Sequence, residues 1–370
     1  MELSLVIEGT TRMYIPRQDE SEAFPPGNAP VFYNRRMEIN RDATILLLNV
    51  LRPAHYLDLM AATGIRALRA AHECGIPVIA NDRDPVALGL LRENARRLNL
   101  SIRVVNRDAN ALLSGERFDT VDLDPFGSPA PFIDSSIRSA RKYLFVTATD
   151  TAPLCGAHLN AGMRRYAAKP MNTEYHPEVG LRMLIGYIAR ETIKYDRGIE
   201  PLLSFAFEHF HRTHLRIVSG VRAADRTLAL IGYIHQCPFC SYREVEAAVL
   251  PGAIVCPRCA RKADPIGPLW IGDIVDREMI LQFLERVVDM ELGTKKRLTR
   301  LLGLLSEEVP VLPHYDYHKQ AKRLGATPPA IDILIRRLLE QGYQASRAHY
   351  SGTAVLTDAP LDILEGAIIK

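Results

Sequence analysis

The chain has 370 residues, 47% of them hydrophobic, which is enough for two packed domains with a small insert and excludes a disordered chain. Lys and Arg total 46 against 43 Asp and Glu, a formal charge of +3, so any nucleic-acid partner must be held by local basic clusters and not by a generally cationic surface. The opening MELSLVIEGTTRMYIP carries acids and lacks the basic region and apolar core of a signal peptide, and no stretch approaches the ~18 apolar residues that span a bilayer; a soluble, cytoplasmic protein without membrane association is expected.

In chain order, SEAFPPGNAP, residues 21–30, with three Pro and one Gly, reads as an ordered or semi-ordered loop. From Ala54 to Asp150 short apolar runs alternate with helical periods: HYLDLM and GIRALRAAHECG, PVIAND and PVALGLLRENARRLNL, IRVVNRD, FDTVDLD, a helix through Arg141, and YLFVTATD. Such alternation predicts an α/β fold with a parallel sheet covered on both faces, and in such sheets the ligand lies at the carboxyl ends of the strands. A helical period recurs between Tyr175 and Arg197, and PLLSFAFEHFHRTHLRIVSGV reads as two further strands finishing the same sheet. After Trp270 the character changes to helices from about Asp276 to Glu308, a short helix around Tyr317 to Leu324, another from Pro329 to Gln341, and a hairpin in YQASRAHYSGTAVLT. The expected organisation is therefore an α/β domain over residues 1–275, with a cysteine-containing insert at about 235–262, and a smaller α+β, winged-helix-like domain over 276–370. No internal repeat or low-complexity tract is evident.

The first predicted strand ends in Asp58, and Ala-Ala-Thr-Gly-Ile-Arg follows. Gly64 in that turn lets backbone approach a ligand, and the next helix presents its free amides. A single glycine is not the G-x-G-x-x-G of dinucleotide folds, so a pyrophosphate is a poor fit. The second strand ends at Asp82, 24 residues after Asp58, about the spacing at which an acid reaches a ribose diol; the third ends in Asp108-Ala109. Carboxylates at three successive strand ends suit a ligand with hydroxyls, amino groups and positive charge. S-adenosylmethionine meets that description. The competing reading makes these acids helix caps or turn formers.

The fourth strand end is VDLDPFGSPAPF, Val121 to Phe132. An exocyclic amine on a purine is a poor nucleophile because its lone pair is delocalised into the ring. Asp124 can accept its hydrogen, Pro125 stiffens the turn and offers a carbonyl, Phe126 presents a stacking face, and Gly127 keeps the approach open. Asp122, on the strand itself, reads as structural. Asp150 and His158 lie near the next strand end without an assigned role.

Cys237, Cys240, Cys256 and Cys259 form C-x2-C, fifteen residues, C-x2-C, the pattern of a tetrahedral four-thiolate zinc site. All four positions are filled, so the Zn2+ is expected to be structural. Cys74 and Cys155 read as buried apolar residues.

Asp124-Pro125-Phe126-Gly127 resembles the Asp/Asn-Pro-Pro-Tyr/Phe signature of amino-group methyltransferases, with Phe where the second Pro would stand and Gly in place of the terminal aromatic. Together VFYNRRMEINRD, LDLMAATGIRALR, DLDPFGSP and VTATDTAPLCGAH resemble the family of tRNA (guanine(26)-N2)-dimethyltransferases of archaeal type. The resemblance implies a Rossmann-like class I methyltransferase domain, a C-terminal RNA-binding domain, and transfer of methyl groups from S-adenosylmethionine to the N2 amine of guanosine 26 in tRNA, giving the mono- and dimethylated base. By motif it implies that Arg41, Arg66, Asp82, Asp108 and Ala109 form the methyl-donor site, to which the reading of the first strand end adds Asp58 and Gly64. Asp124, Pro125, Phe126 and Gly127 match its catalytic turn, and Phe32 an aromatic near the target base. Arg41 and Arg66 can alternatively pair with acids of the site, and Phe32 can be core.

Basic clusters occur at Arg35, Arg36 and Arg41, at Arg164, Arg165 and Lys169, at Arg258, Arg261 and Lys262, and at Lys295, Lys296, Arg297 and Arg300. Each alone reads as a solvated face. Four on a chain with this catalytic set suit phosphate contacts to a folded RNA recognised by shape, with the target base extruded. No obligate protein partner is implied. Two other readings are an amino-methyltransferase acting on another RNA or a DNA base, and a non-catalytic zinc-containing RNA-binding protein.

Overall fold

A computed structural model describes residues 2–17 and 30–369; the proline-rich loop read at 21–30 therefore lies, but for its last residue, outside the described residues. An N-terminal hairpin, β1 (Leu3–Glu8) and β2 (Thr11–Pro16), precedes helix α1 (Glu38–Leu51). Then come β3 (Tyr56–Asp58), α2 (Ile65–Cys74), β4 (Val78–Asn81), α3 (Pro85–Arg97), β5 (Arg103–Val105), α4 (Ala109–Gly115), β6 (Phe118–Leu123), α5 (Ala130–Ser139) and β7 (Ala140–Ala148). Helices α6 (Thr151–Leu154), α7 (Leu159–Tyr166) and α8 (His176–Ile193) lead to the long hairpin β8 (Arg197–Phe207) and β9 (Phe210–Ser219).

These strands form one seven-stranded sheet in the order β5-β4-β3-β6-β7-β9-β8, parallel from β5 through β7 and antiparallel at β9. Every residue of β3, β4 and β6 is buried, as a sheet covered on both faces requires. The strand order reverses between β3 and β6, which opens a crevice at their carboxyl ends. Asp58 and Asp122 sit opposite each other in register at that point.

Three parts of this architecture were not anticipated. The hairpin β1–β2 packs Val6, Met13 and Ile15 against Ile65, Leu68 and Ala95. Helix α1 buries Asn40, Arg41, Asp42 and Thr44 along with its leucines, so its inward face is polar where it meets the crevice and defeats an apolar-periodicity reading. The helix expected to run through Arg141 ends at Ser139, and strand β7 begins at once.

Helix α9 (Val221–Leu228) is followed by a small sheet, β11-β10-β12, from β10 (Ile231–Gln236), β11 (Arg243–Glu246) and β12 (Asp264–Trp270), with the four cysteines in the loops between its strands. Strand β12 lies on α8 so closely that a Cβ on Gly186 would come 2.8 Å from Leu269 Cα.

Helices α10 (Arg277–Val287) and α11 (Lys295–Glu307) contribute Met279, Ile280, Phe283, Leu298 and Leu302 to the main core. A separate core starts at Tyr315 and gathers Ala321, Leu334, Leu338, Val355 and Leu364. It is built from β13 (Tyr315–Asp316), α12 (Tyr317–Arg323), α13 (Ile331–Glu340), β14 (Ala345–Arg347), β15 (Ala354–Thr357) and α14 (Leu361–Ile369), with sheet order β13-β15-β14. The loop between β14 and β15 does not project into solvent. His349 accepts from the Ala206 amide and pairs with Glu308, and Tyr350 stacks on His314, which pairs with the buried Glu178 of α8. Among the described residues no helix is long and apolar enough to cross a membrane.

Candidate active site

The turn after β3 is tied to its neighbours by backbone. Leu59 N donates to Asp122 O at 3.0 Å and Ala61 N to Asn81 O at 2.9 Å. Gly64 closes the turn at φ +79°, and a Cβ there would lie 2.5 Å from Leu91 Cγ, so both conformation and space require glycine. Asp82 holds the turn from the side. Its Oδ2 accepts from Ala62 N at 2.8 Å and its Oδ1 from Asp84 N at 2.9 Å. Asn81, beside Asp82 at the second strand end, donates to Leu59 O and Arg107 O and so links three strand ends. Asp108 is exposed and caps α4 by accepting from Ala111 N at 3.0 Å; Ala109, the first residue of that helix, is buried. The cap and turn roles of Asp82 and Asp108 are thus real. They leave lone pairs for a ligand, because a carboxylate offers about four acceptor sites.

Inside the crevice lies a buried charge cluster. Asp122 is fully buried and receives both terminal nitrogens of Arg212, at 2.8 and 2.7 Å, and the Tyr56 hydroxyl at 2.7 Å. Burial alone would raise its pKa, but Arg212 and Arg66 outweigh burial and hold it near about 2. Arg66 donates to Asn40 Oδ1 at 3.0 Å and Thr44 Oγ1 at 2.8 Å, lies 3.7 Å from Asp122, and donates through Nη2 to Asp124 Oδ2. Asp58 accepts from Ala67 N at 3.1 Å; burial, opposed by Arg66 and reinforced by Asp122 and Asp124, lifts its carboxyl to about 7.

Asp124 differs from the other acids of this cluster in being accessible. Its side chain keeps 22% of its exposure, and among the described residues its Oδ1 has no hydrogen-bond partner. The turn that follows is braced from behind. Gly127, at φ +78°, exchanges two hydrogen bonds with Thr149, and Ser128 contacts the Tyr166 hydroxyl, which donates to Asp150 Oδ1 at 2.6 Å. Asp150 thereby acquires a structural place, whereas His158 stays exposed with no side-chain cap bond. Pro125 is buried. Phe126 is 73% exposed, and its ring meets that of Phe32 at 4.4 Å between centroids in an edge-to-face arrangement.

The structure thus brings Asp58, Gly64, Arg66, Asp124, Pro125, Phe126, Gly127 and Phe32 around one crevice, with Asp82, Asp108 and Ala109 along its rim. Arg41 donates to Glu8 at 2.8 and 2.5 Å and to Asn34 O, and Tyr33 donates to the same Glu8, so the N-terminal hairpin holds this guanidinium. Arg212, Thr44 and Asn40 were missed. The signal for Arg212 was an arginine inside FHRTHL, a segment read as a strand of the central sheet, where a buried guanidinium demands an acid partner.

About the insert, the sulfur atoms of Cys237, Cys240, Cys256 and Cys259 all lie within 4.8 Å of one another. Pairs approach to 3.4 Å for Cys237–Cys259 and 3.5 Å for Cys240–Cys256. Four sulfurs about 2.3 Å from one ion would lie at comparable separations, so this set can hold zinc.

Comparison with known proteins shows the family to which this chain is similar. A family model described as N2,N2-dimethylguanosine tRNA methyltransferase matches residues 9–368. A tRNA (guanine(26)-N(2))-dimethyltransferase from Methanosphaerula palustris is 58% identical over 368 residues, covering 100% of this chain and 99% of the relative. One of the same name from Methanosarcina mazei is 40% identical, with 98% of each covered. The solved structure of Trm1 from Pyrococcus horikoshii in complex with S-adenosyl-L-methionine superposes with a TM-score of 0.90 at 35% identity, covering 100% of both chains.

Proposed function

The chain belongs to the N2,N2-dimethylguanosine tRNA methyltransferase family, and from that premise we propose that it methylates the N2 amine of guanosine 26 in tRNA with Asp124 as the catalytic acceptor. The observation that carries the residue assignment is the open Oδ1 of Asp124, held at the carboxyl end of β6 while Arg66 fixes Oδ2.

S-adenosylmethionine, when bound, supplies an electrophilic methyl carbon on sulfonium. The residues present suit it: Asp108 and Asp82 keep acceptor capacity for amino and hydroxyl groups, and Gly64 lets the turn approach closely. No phosphate has to be accommodated. Asp124 Oδ1 accepts an N–H of the guanine amine, which localises the nitrogen lone pair for in-line attack, and then receives the proton released as the N–C bond forms and the methyl carbon's bond to sulfur breaks, its electron pair leaving on the thioether of S-adenosylhomocysteine. Proton loss to water restores the carboxylate. A second round on the same nitrogen gives the dimethylated base.

The target base must leave its stack, at a cost of a few kcal/mol. Phe32 and Phe126 offer faces that offset this cost. The methyltransferase unit in this reading runs past the expected boundary at residue 275 to the end of α11, because α10 and α11 pack into the main core, and the RNA-binding unit begins at Tyr315, where the separate core starts. The latter has a winged-helix-like strand order, and its hairpin loop is used for docking. A four-cysteine zinc serves as a structural staple: the turns that carry the thiols touch the C-terminal unit through Arg258–Glu365 at 2.8 Å and Arg323 to Phe239 O.

The test is incubation with an unmodified tRNA transcript and labelled methyl donor, followed by nucleoside analysis. Label in N2-methylated guanosine, absent when adenosine replaces guanosine 26, is expected; label in any other nucleoside overturns the assignment.

A further inference from the structure

Two of the basic clusters separated in the chain are merged by the fold. Arg36 follows the Phe32 loop, and Arg297 lies on the first turn of α11. Both reach Glu208 in the tight turn between β8 and β9: Arg297 Nη2 donates to Oε1 at 2.6 Å and Arg36 Nη2 to Oε2 at 3.4 Å. The three side chains remain 51%, 44% and 35% exposed for Arg297, Arg36 and Glu208. Glu208 itself adopts φ +46°, and the neighbouring His209 has both ring nitrogens buried without a hydrogen-bond partner among the described residues. Lys296 and Arg300 add exposed positive charge on the same helix.

One acidic group held by two exposed arginines, one per oxygen, mimics a phosphate diester held the same way. Exposed pairs of this kind contribute little to stability, so the carboxylate is readily displaced. The location is also informative. Arg36 is four residues beyond Phe32, at most about 14 Å of extended chain from the aromatic pair at the mouth of the crevice. A nucleotide flipped onto those rings carries its own backbone phosphates into this region.

We propose that Arg36 and Arg297 form a seat for one RNA backbone phosphate beside the flipped nucleotide, with Glu208 as the stand-in it displaces. The inference rests on the function proposed above. In the free protein Glu208 keeps the two guanidinium groups apart and oriented; on binding, the phosphate takes both, and the carboxylate turns to solvent or to His209. The seat positions RNA and reads no base.

The test is binding of unmodified tRNA transcript at several salt concentrations to the full chain and to Glu208→Gln, Arg297→Ala and Arg297→Lys, with methyl-donor binding and melting temperature as folding controls. Glu208→Gln is expected to tighten binding about 3-fold, because the competitor is gone. Arg297→Ala is expected to weaken it about 5-fold and to lower the slope of log affinity against log salt by about 1, while Arg297→Lys keeps the slope. Arg297 also stacks on Phe207 at 4.9 Å, so its truncation can disturb packing, and the sign of the Glu208→Gln effect decides. Unchanged or weakened binding by Glu208→Gln overturns the seat. A wild-type chain that binds no transcript overturns the function itself, and the seat with it.

Discussion

Arg66 donates to Asp124 through one carboxylate oxygen and, through its other terminal nitrogen, to Asn40 and Thr44 of α1. Gly64 and Arg66 belong to the same turn region, so the residues expected to hold the methyl donor also set where the acceptor carboxylate stands. Asp124 is therefore positioned by a fully buried guanidinium with three other partners, and still keeps one oxygen for substrate.

Asp124→Asn retains the shape and a hydrogen-bond acceptor but cannot take a proton. Transfer of labelled methyl to tRNA should fall about 10²- to 10⁴-fold, with donor affinity by calorimetry changed by less than about 3-fold. Turnover close to wild type would remove Asp124 from the chemistry.

Phe126 is largely exposed, so Phe126→Ala should change stability by no more than about 0.5 kcal/mol. Loss of base stacking should lower kcat/KM for tRNA by about 1–3 kcal/mol, some 5- to 150-fold. A large drop in melting temperature with unaltered kcat/KM would make the ring a packing element instead.

Asp58 has a carboxyl lifted to about 7 in the fold, against about 3.9 in an unfolded chain. Its protonated form is the favoured one when folded. That share of stability is complete below about pH 4 and is lost as pH rises through about 7. Relative to Asp58→Asn, wild type should lose about 2–4 kcal/mol between pH 4 and pH 8, measured by denaturant unfolding at each pH. Parallel curves for the two proteins would contradict the raised pKa.

Gly64→Ala places a methyl at φ +79° and against Leu91. Overpacking and backbone strain together should cost about 2–4 kcal/mol, and donor affinity should fall because the turn moves. Thermal melts with and without S-adenosylmethionine measure both effects.

Cys256→Ser, or treatment with a strong chelator, should remove one zinc per chain by metal analysis and expose residues 237–262 to limited proteolysis. Because Arg258 and the Phe239 carbonyl reach the C-terminal unit, the melting temperature should fall by several degrees as well. Resistance to proteolysis after complete metal loss would show that strands β10 to β12 hold the segment unaided.

The strands and crossover helices from Tyr56 to Ala148 were legible because each alternates apolar runs with helical periods and ends in a turn residue, and the turn after β6 because Asp-Pro-Phe-Gly is a local constellation. Helix α1 was not, since the polar residues Asn40, Arg41, Asp42 and Thr44 occupy buried positions that periodicity assigns to solvent. Arg41 was assigned to the donor site by motif, and its pairing with Glu8, contributed by a hairpin with no sequence signal of its own, could not be read from that motif. Arg212 arrives from an antiparallel strand ninety positions after Asp122, a pairing that no local pattern encodes.

What the amino-acid sequence determined by itself was whatever depends on spacing along the chain: strand ends carrying acids, a glycine where a turn needs positive φ, four cysteines at zinc spacing, and an acid-proline-aromatic turn. Only the tertiary structure decided which guanidinium meets which carboxylate. The energy of a buried charge depends on partners a few ångströms away in space, and those partners, Arg66 with Asp124, Arg212 with Asp122 and Arg297 with Glu208, come from elements whose adjacency exists only after the sheet has closed.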